Sequence, residues 1–343
     1  MTRVPASTTG SHGPRVSVCI PVRNGADYIA EALESVLAQT FGDFELLVVD
    51  NCSTDDTETI VRRYTDRRLR YIRNAKNLGL VGNANRCLHL ASSEYVCLFH
   101  HDDVMLPENL ARKVSVLDSH PGVGFVHSNV LVVDPKGRRV AGDIWAEDSR
   151  RDYVEPGRVV FPKFLLEMPR ASSIFIGAVL ARRSVYRRMG GFRDELPHCN
   201  DSEMWMRMML FFDVACIGEP LVKYRVHGTS TSSSWGDSMS LPYLREHYEA
   251  VRLLFDRYGP DVPNRRRMWI AVSRAFASRA VDVAARELLA GNHGVGRMAL
   301  KLAAAMYAPI VATPGFLRAT AGSLAGRGGV RFYQRIKALG KAV

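Results

Sequence analysis

Three short polar clusters each follow an apolar, β-branched run: Pro21-Val22-Arg23-Asn24, Asp50-Asn51 and His100-His101-Asp102-Asp103. Adjacent carboxylates such as Asp102 and Asp103 suit a hard divalent cation, Mg2+ or Mn2+, which takes oxygen ligands and bridges phosphate groups. No GxGxxG follows the first apolar run and GxxxxGK[ST] occurs nowhere, so both standard phosphate loops are missing. A nucleotide bound here would need another partner for its diphosphate.

The clusters need a frame that gathers strand ends. Val16–Val22, Phe44–Val49, Leu69–Ile72 and Tyr95–Phe99 read as short buried strands. Between them, Asp27 can cap a helix with Ile29, Leu33, Val36 and Leu37 on one face, and Ser53-Thr54-Asp55-Asp56 can cap a helix through Ile60, Val61 and Tyr64. A third helix is expected over Asn83–Ala91. Such alternation predicts an α/β fold, an open and mostly parallel sheet with helices on both faces. Ligands of such sheets sit outside the strands' carboxyl ends, where the strand order reverses. Beyond Pro107 the pattern becomes mixed. A helix over Glu108–Leu117 leads to a strand-rich stretch, Val123–Val133, closed by Pro135-Lys136-Gly137, and Asp103 reads as the cap of that helix. A second α+β portion runs from about Pro156 to Val226, and Gly228–Gly236 reads as a loop. From Tyr243 onward everything reads as helix, with Trp269, Val272, Phe276, Ala280 and Val283 in register and a stop at Gly291-Asn292. Leu302–Leu317 is apolar but short of the roughly 20 residues that span a bilayer, and Pro309 and Pro314 interrupt it.

At this resolution the chain resembles the family 2 glycosyltransferases. The likeness is carried by VSVCIPVRNGADYIAEALESVLAQTFGDFELLVVDNCSTDDT (Val16 to Thr57) and NLGLVGNANRCLHLASSEYVCLFHHDDVMLPENL (Asn77 to Leu110). GAVLARRSVYRRMGGFRDEL (Gly177 to Leu196), NDSEMWMRM (Asn200 to Met208) and YRVHGTSTS (Tyr224 to Ser232) continue it in the family's order and spacing. The resemblance implies a GT-A fold and inverting transfer of a sugar from a nucleoside-diphosphate donor to an acceptor hydroxyl. It implies that Pro21, Arg23, Asn24, Asn83 and His101 line the nucleotide pocket. It further implies that Asp50 meets the base edge, favouring a UDP- or dTDP-sugar, and that Asp102 holds Mn2+ or Mg2+ on the diphosphate. By the same likeness His227 stands near the metal as a second ligand, and Asp201 is the general base. Arg23 stands where the family is usually aromatic, His100 where many members have Asp, and Asn200 where an acidic residue is common. Trp205 is expected to pack and Arg207 to pair with a carboxylate. Two other readings remain open, a nucleotidyltransferase-like enzyme and a non-catalytic sugar-nucleotide or glycan-binding module.

Composition sets the outer bounds. With 47% hydrophobic and 24% charged residues the 343-residue chain is of globular type and long enough for one large domain and an appendage. We expect a flexible tail over 1–14, a GT-A domain over 15–240 and a helical, basic extension over 241–343. The net charge of +11 is uneven: from Arg257 onward there are fifteen Lys and Arg against three Asp and Glu, while the preceding 256 residues carry thirty-one against thirty-two. That asymmetry points to an acidic surface as partner of the extension and not to nucleic acid. Arg327–Lys341 in particular has the spacing of a basic amphipathic helix, suited to an anionic membrane and a glycan or lipid-linked glycan acceptor. The six cysteines show no CxxC spacing and read as buried hydrophobes in a reducing compartment. Residues 1–13 lack the apolar core of a signal peptide. Together these features favour a cytoplasmic protein, peripheral on the inner face of the membrane.

Overall fold

The computed structural model describes residues 13–140, 151–169, 174–230 and 240–321. Arg327–Lys341, most of the Gly228–Gly236 loop and residues 1–12 lie outside them. In chain order the elements are β1 (Val16–Val22), α1 (Ile29–Leu37), β2 (Phe44–Asp50), α2 (Thr57–Val61), β3 (Leu69–Arg73) and α3 (Gly79–Leu90). Then come β4 (Tyr95–Leu98), β5 (Val104–Met105), α4 (Asn109–Ser119), β6 (Val123–Val133), β7 (Tyr153–Glu155) and α5 (Gly157–Glu167). They are followed by β8 (Val179–Arg182), α6 (Arg183–Met189), α7 (Asn200–Met209), β9 (Asp213–Arg225), α8 (Leu241–Tyr258), α9 (Arg265–Leu289) and α10 (His293–Met306).

The chain divides into two compact units. One comprises the residues up to Pro156 with Ile174–Pro197 and Phe212–Val226, and it contains the whole sheet. Its strand order is β3-β2-β1-β4-β8-β6-β9-β5, with β7 on β9. The first four strands are parallel, β6 and β9 run with them, and β8, β5 and β7 run against them. Side chains alternate across the strands. Val18, Ile20, Leu46 and Val48 join the buried cluster with α1 and α4, while Cys19 on the opposite face meets α3 through the Cys87 carbonyl. Because β2 and β3 step outward from β1 and β4 returns to its other side, the order reverses between β1 and β4. The expected sheet and its switch point are both present.

The other unit gathers Gly157–Ser173, His198–Phe211 and the chain from His227 onward. Its core is helical, built from Phe161 and Leu165 of α5, Trp205 and Met208 of α7, Leu254 of α8 and Phe276 of α9. This grouping cuts across the sequence-based boundary at 240, since α5 and α7 interrupt the sheet's sequence but pack with the later helices. The helical register of α9 holds, with Val272, Phe276, Ala280 and Val283 buried. Gly291 ends that helix at φ +86°, which lets Gly291 and Asn292 donate to the carbonyls of Leu288 and Glu287. Among the described residues no helix is long and apolar enough to cross a membrane. All six cysteines are free, five of them buried.

Three expected caps are different in the structure. Asp27 makes no cap for α1; the Gly25 carbonyl receives the Tyr28 and Ile29 amides instead. Ser53–Asp56 serves both sides: Ser53 Oγ receives the Asn24 amide and one Asp55 oxygen the Ala26 amide, while the other Asp55 oxygen receives the amide and hydroxyl of Thr57 at the start of α2. Asp103 does not cap α4, which starts after Glu108; its Oδ1 receives the Arg225 amide at 2.9 Å. For Asp103 a partner 122 residues away, Arg225, takes the place of the local one.

Candidate active site

The loops after β1 and β2 are tied into one platform. Asn24 adopts φ 54°, a left-handed conformation that Asn tolerates, and its Oδ1 receives the Thr54 amide at 2.8 Å. Gly25 follows because there is no room for a side chain. A Cβ there would lie 2.6 Å from His101 Cδ2 and 2.6 Å from Val22 Cγ2. The absent side chain lets the His101 ring from the end of β4 lie against the end of β1. Asn24 and His101, both expected at a nucleotide pocket, are thus brought together at the switch point. Pro21 precedes them on β1, half-buried, while Arg23 is exposed and has no hydrogen-bond or ion-pair partner among the described residues.

Asp50 ends β2 fully buried, and four donors of the chain itself fill its carboxylate. Oδ1 receives the Ser53 amide and hydroxyl at 2.9 and 2.5 Å; Oδ2 receives the Tyr71 hydroxyl and the Arg73 guanidinium, each at 2.6 Å. Arg73, at the end of β3, also donates to the Ser53 carbonyl at 2.8 Å. Sequence reasoning did not single out Arg73; its position one residue past a predicted strand was the available signal. Asn83 is buried and also committed, donating to the Val49 carbonyl at 2.9 Å and accepting from Asn74 at 2.8 Å. Asn74 in turn reaches Asn51, which bonds Asn77 and the Gly79 carbonyl. This amide network pins the start of α3 beside the end of β2.

Beyond β4, His100, Asp102 and Asp103 each offer one ligand atom, and these atoms lie within 4.8 Å of one another. The Asp103 side chain is almost wholly buried, and its Oδ2 has no hydrogen-bond partner. His100 Nδ1 stands 3.7 Å from that oxygen. Burial, followed by the charge of Asp102, raises the Asp103 carboxyl well above the usual range, against the pull of the Arg225 amide and guanidinium. Burial lowers the pKa of His100 despite nearby Asp102, which keeps a ring lone pair free to ligate. A buried, partnerless carboxylate oxygen beside a second carboxylate and a neutral imidazole fits a divalent cation. Asp103, read from sequence as a cap, therefore belongs to the candidate metal set.

Arg225 fastens this turn. Its Nε donates to the Asp102 carbonyl at 2.8 Å, Nη1 to the Pro135 carbonyl at 3.0 Å, and Nη2 to Glu31 of α1 at 2.5 Å. The guanidinium also lies 5.0 Å from the centre of the Tyr28 ring. It was visible in the sequence only as the second residue of Tyr-Arg-x-His.

Asp201 and His227 belong to the helical unit. Asp201 sits in the first turn of α7 with a half-buried side chain, and its Oδ1 accepts from the Ser202 amide at 2.6 Å. Burial pushes its pKa up to about 6, the Ser202 amide and hydroxyl opposing. That places a carboxylate in the range of a working base. Glu203 is fully buried and bonded to Arg207 Nε at 2.9 Å, so the ion pair expected of Arg207 is made with it, and Trp205 is core. His227 Nδ1 lies 2.8 Å from Thr229 Oγ1.

A mostly parallel sheet with its switch point between β1 and β4 and a carboxylate cluster beside it fits the nucleotide-sugar transferase class. The glycosyl transferase family 2 model matches residues 17–208, and the chain belongs to that family and is a glycosyltransferase. An uncharacterized glycosyltransferase of Rickettsia typhi is 28% identical over 242 residues, 70% of this chain and 71% of its own length. The putative glycosyltransferase EpsE of Bacillus subtilis is 30% identical over 200 residues, 57% of this chain and 66% of its own. The fold resembles the crystal structure of Staphylococcus aureus TarS 1–349 with UDP-GlcNAc, at TM-score 0.62 and 19% identity, over 94% of this chain and 92% of that one. It also resembles the mannosyltransferase PcManGT of Pyrobaculum calidifontis with GDP-Man and Mn2+, at TM-score 0.53 and 22% identity, over 92% and 88%.

Proposed function

We propose that the chain transfers a sugar with inversion from a nucleoside-diphosphate donor, seated at the carboxyl ends of β1, β2 and β4, to an acceptor hydroxyl. The observation that carries this reading is the His100–Asp102–Asp103 cluster at the switch point, with a buried carboxylate oxygen that lacks a partner. Asp102 and Asp103, with His100, would hold Mn2+ or Mg2+; His227 is a further candidate ligand from the Tyr-Arg-x-His element. Bound there, the cation supplies Lewis-acid stabilisation of negative charge on the departing diphosphate. Asp201 takes the acceptor proton onto a carboxylate oxygen as the acceptor oxygen bonds the anomeric carbon. The bond from that carbon to the diphosphate oxygen breaks, and the nucleoside diphosphate leaves with the electron pair.

A uracil or thymine donor rests on Asp50 and on the UDP-bound TarS likeness. A base N–H that reaches Asp50 must displace one of its four donors, and the half-exposed Tyr71 and Arg73 are the ones able to yield. Asn24 and His101 shape the platform on which the donor lies, while Arg23 offers a guanidinium to the phosphates or base. The acceptor we infer is a glycan or lipid-linked glycan of the cell surface, supported by the cationic extension.

Incubation with UDP-, dTDP- and GDP-sugars and Mn2+ tests the proposal. Slow release of free nucleoside diphosphate without acceptor is the expected result. A donor that binds and stays intact, with and without acceptors, would mark a binding module, and release of pyrophosphate from nucleoside triphosphates and sugar phosphates would mark a nucleotidyltransferase.

A further inference from the structure

A groove of about 440 Å³ opens between α3 and α6 in the sheet unit. Leu88 and His89 line it from α3, Arg183, Tyr186 and Arg187 from α6, and Val96 of β4 contributes from the sheet. Arg183, Tyr186 and Arg187 follow i, i+3, i+4 spacing, which puts all three on one helix face. One end of the groove is rigidly built: Asn85 Oδ1 receives the Phe192 amide at 2.7 Å, and its Nδ2 donates to the Phe192 carbonyl at 2.9 Å. Gly191 sits so close that a Cβ there would lie 2.5 Å from Asn85 Oδ1.

The groove's donors are unspent. Arg187 and His89 make no hydrogen bond or ion pair with the described residues, and Arg183 makes one long side-chain bond, 3.4 Å to the Ala91 carbonyl. The Tyr186 ring is buried, yet no bond engages its hydroxyl among the described residues. No carboxylate lines the groove. Val96 is the second residue of β4, opposite Ala181, so the groove lies toward the strand's amino end, away from the candidate active site at its carboxyl end.

We propose that this groove binds a phosphate monoester carrying a ring or a short apolar chain. Two planar guanidinium forks on one helix face, with a hydroxyl and an imidazole, match a tetrahedral dianion with three acceptor oxygens better than a carboxylate with two. Leu88, Val96 and Phe192 give the organic group an apolar seat. The volume falls within the range of small-molecule sites, roughly 300–1,000 Å³.

Calorimetric titration with phenyl phosphate and with inorganic phosphate tests this, alongside co-sedimentation with phosphatidic acid and with phosphatidylcholine vesicles. Phenyl phosphate should bind more tightly than inorganic phosphate. Arg183→Gln/Arg187→Gln should weaken it by about 100-fold, roughly tenfold per guanidinium, at an unchanged melting temperature. Tyr186→Phe should weaken it by several-fold. Phosphatidic acid binding that disappears in the double variant, without phenyl phosphate binding, would identify a lipid headgroup as the source of the same phosphate chemistry. The proposal fails if neither probe binds, if the double variant binds as the parent does, or if UDP with Mn2+ displaces phenyl phosphate competitively.

Discussion

Asp201 and Glu203 stand two residues apart, and their surroundings divide the work between them. Glu203 spends its charge on Arg207 inside the core, whereas Asp201 is half-buried with a pKa near 6. Asp201→Asn should lower turnover by about 10²- to 10⁴-fold with donor affinity preserved. Glu203→Gln removes the charge of one partner in a buried ion pair and should appear as lost stability, about 3–5 kcal/mol in a denaturant melt. A near-normal Asp201→Asn enzyme beside a folded, inactive Glu203→Gln one would transfer the base role to Glu203. The raised pKa has a sign. The base works deprotonated, so kcat/KM should rise about tenfold per unit as pH climbs toward 6 and level off above it. Stability runs the other way: the folded state holds its proton more tightly than the unfolded one, so Asp201's contribution is full below the unfolded pKa and is lost as pH rises through about 6. A pH–rate profile that is flat between 5 and 7 would contradict the assignment. Arg225 acts through others, since its guanidinium and backbone amide hold both residues of the Asp102-Asp103 turn. Arg225→Lys should weaken Mn2+ binding, read by electron paramagnetic resonance, by at least about tenfold, consistent with losses on removing outer support from metal ligands. Glu31→Gln, which spares the Asp102 and Asp103 contacts, should weaken it less.

At the scale of elements, the site depends on how closely the ends of β1 and β4 approach. Gly25→Ala forces a methyl into His101 and Val22 and should cost about 1–3 kcal/mol, with weaker UDP binding. Removing the ring in Gly25→Ala/His101→Ala should restore part of the melting temperature, because one of the two clashes disappears. An unchanged melting temperature in the single variant would show that the ring swings away at no cost and that the close approach does not matter. The amide chain from Asn51 through Asn74 to Asn83 has the parallel task of fixing α3 against β2, so Asn83→Ala should loosen the donor platform without touching the metal set.

For the molecule as a whole, charge separates the two ends of the chain. No Asp or Glu follows Glu287, and eight Lys or Arg do. In the described part of that stretch Val295, Met298, Val311 and Leu317 are exposed among Arg297, Lys301 and Arg318. Gly296, Ala299, Leu300, Ala303 and Met306 form the buried stripe of α10. Apolar side chains interspersed with cations and free of acids suit the surface of an anionic bilayer. Deleting residues from Arg327 onward, or changing Met298 and Leu317 to Ser, should reduce co-sedimentation with anionic vesicles while donor hydrolysis continues. Undiminished binding by both variants would remove the membrane from the account.

What the sequence determined by itself was everything carried by local periodicity and by motif order. Strands of β-branched residues separated by amphipathic helices led to an open, mostly parallel sheet, whereas the place of its switch point, between β1 and β4, came from the strand order. The residue types after β4 suggested a metal, and the family resemblance alone suggested a base at the start of α7, both as expectations. Those signals survive in one dimension because each is written within a few neighbouring residues. Tertiary structure decided which of the polar residues are already engaged. Asp50 is filled by Tyr71 and Arg73 as well as Ser53, Glu203 is taken by Arg207, and the oxygen that Asp103 leaves open follows from Arg225 occupying the other. Arg225 lies 122 residues from Asp103 and 194 from Glu31, so no spacing rule could have paired them. The partition of the chain into a sheet unit and a helical unit was hidden for the same reason. Burial of apolar faces, not contiguity, groups α5 and α7 with the helices that follow residue 240.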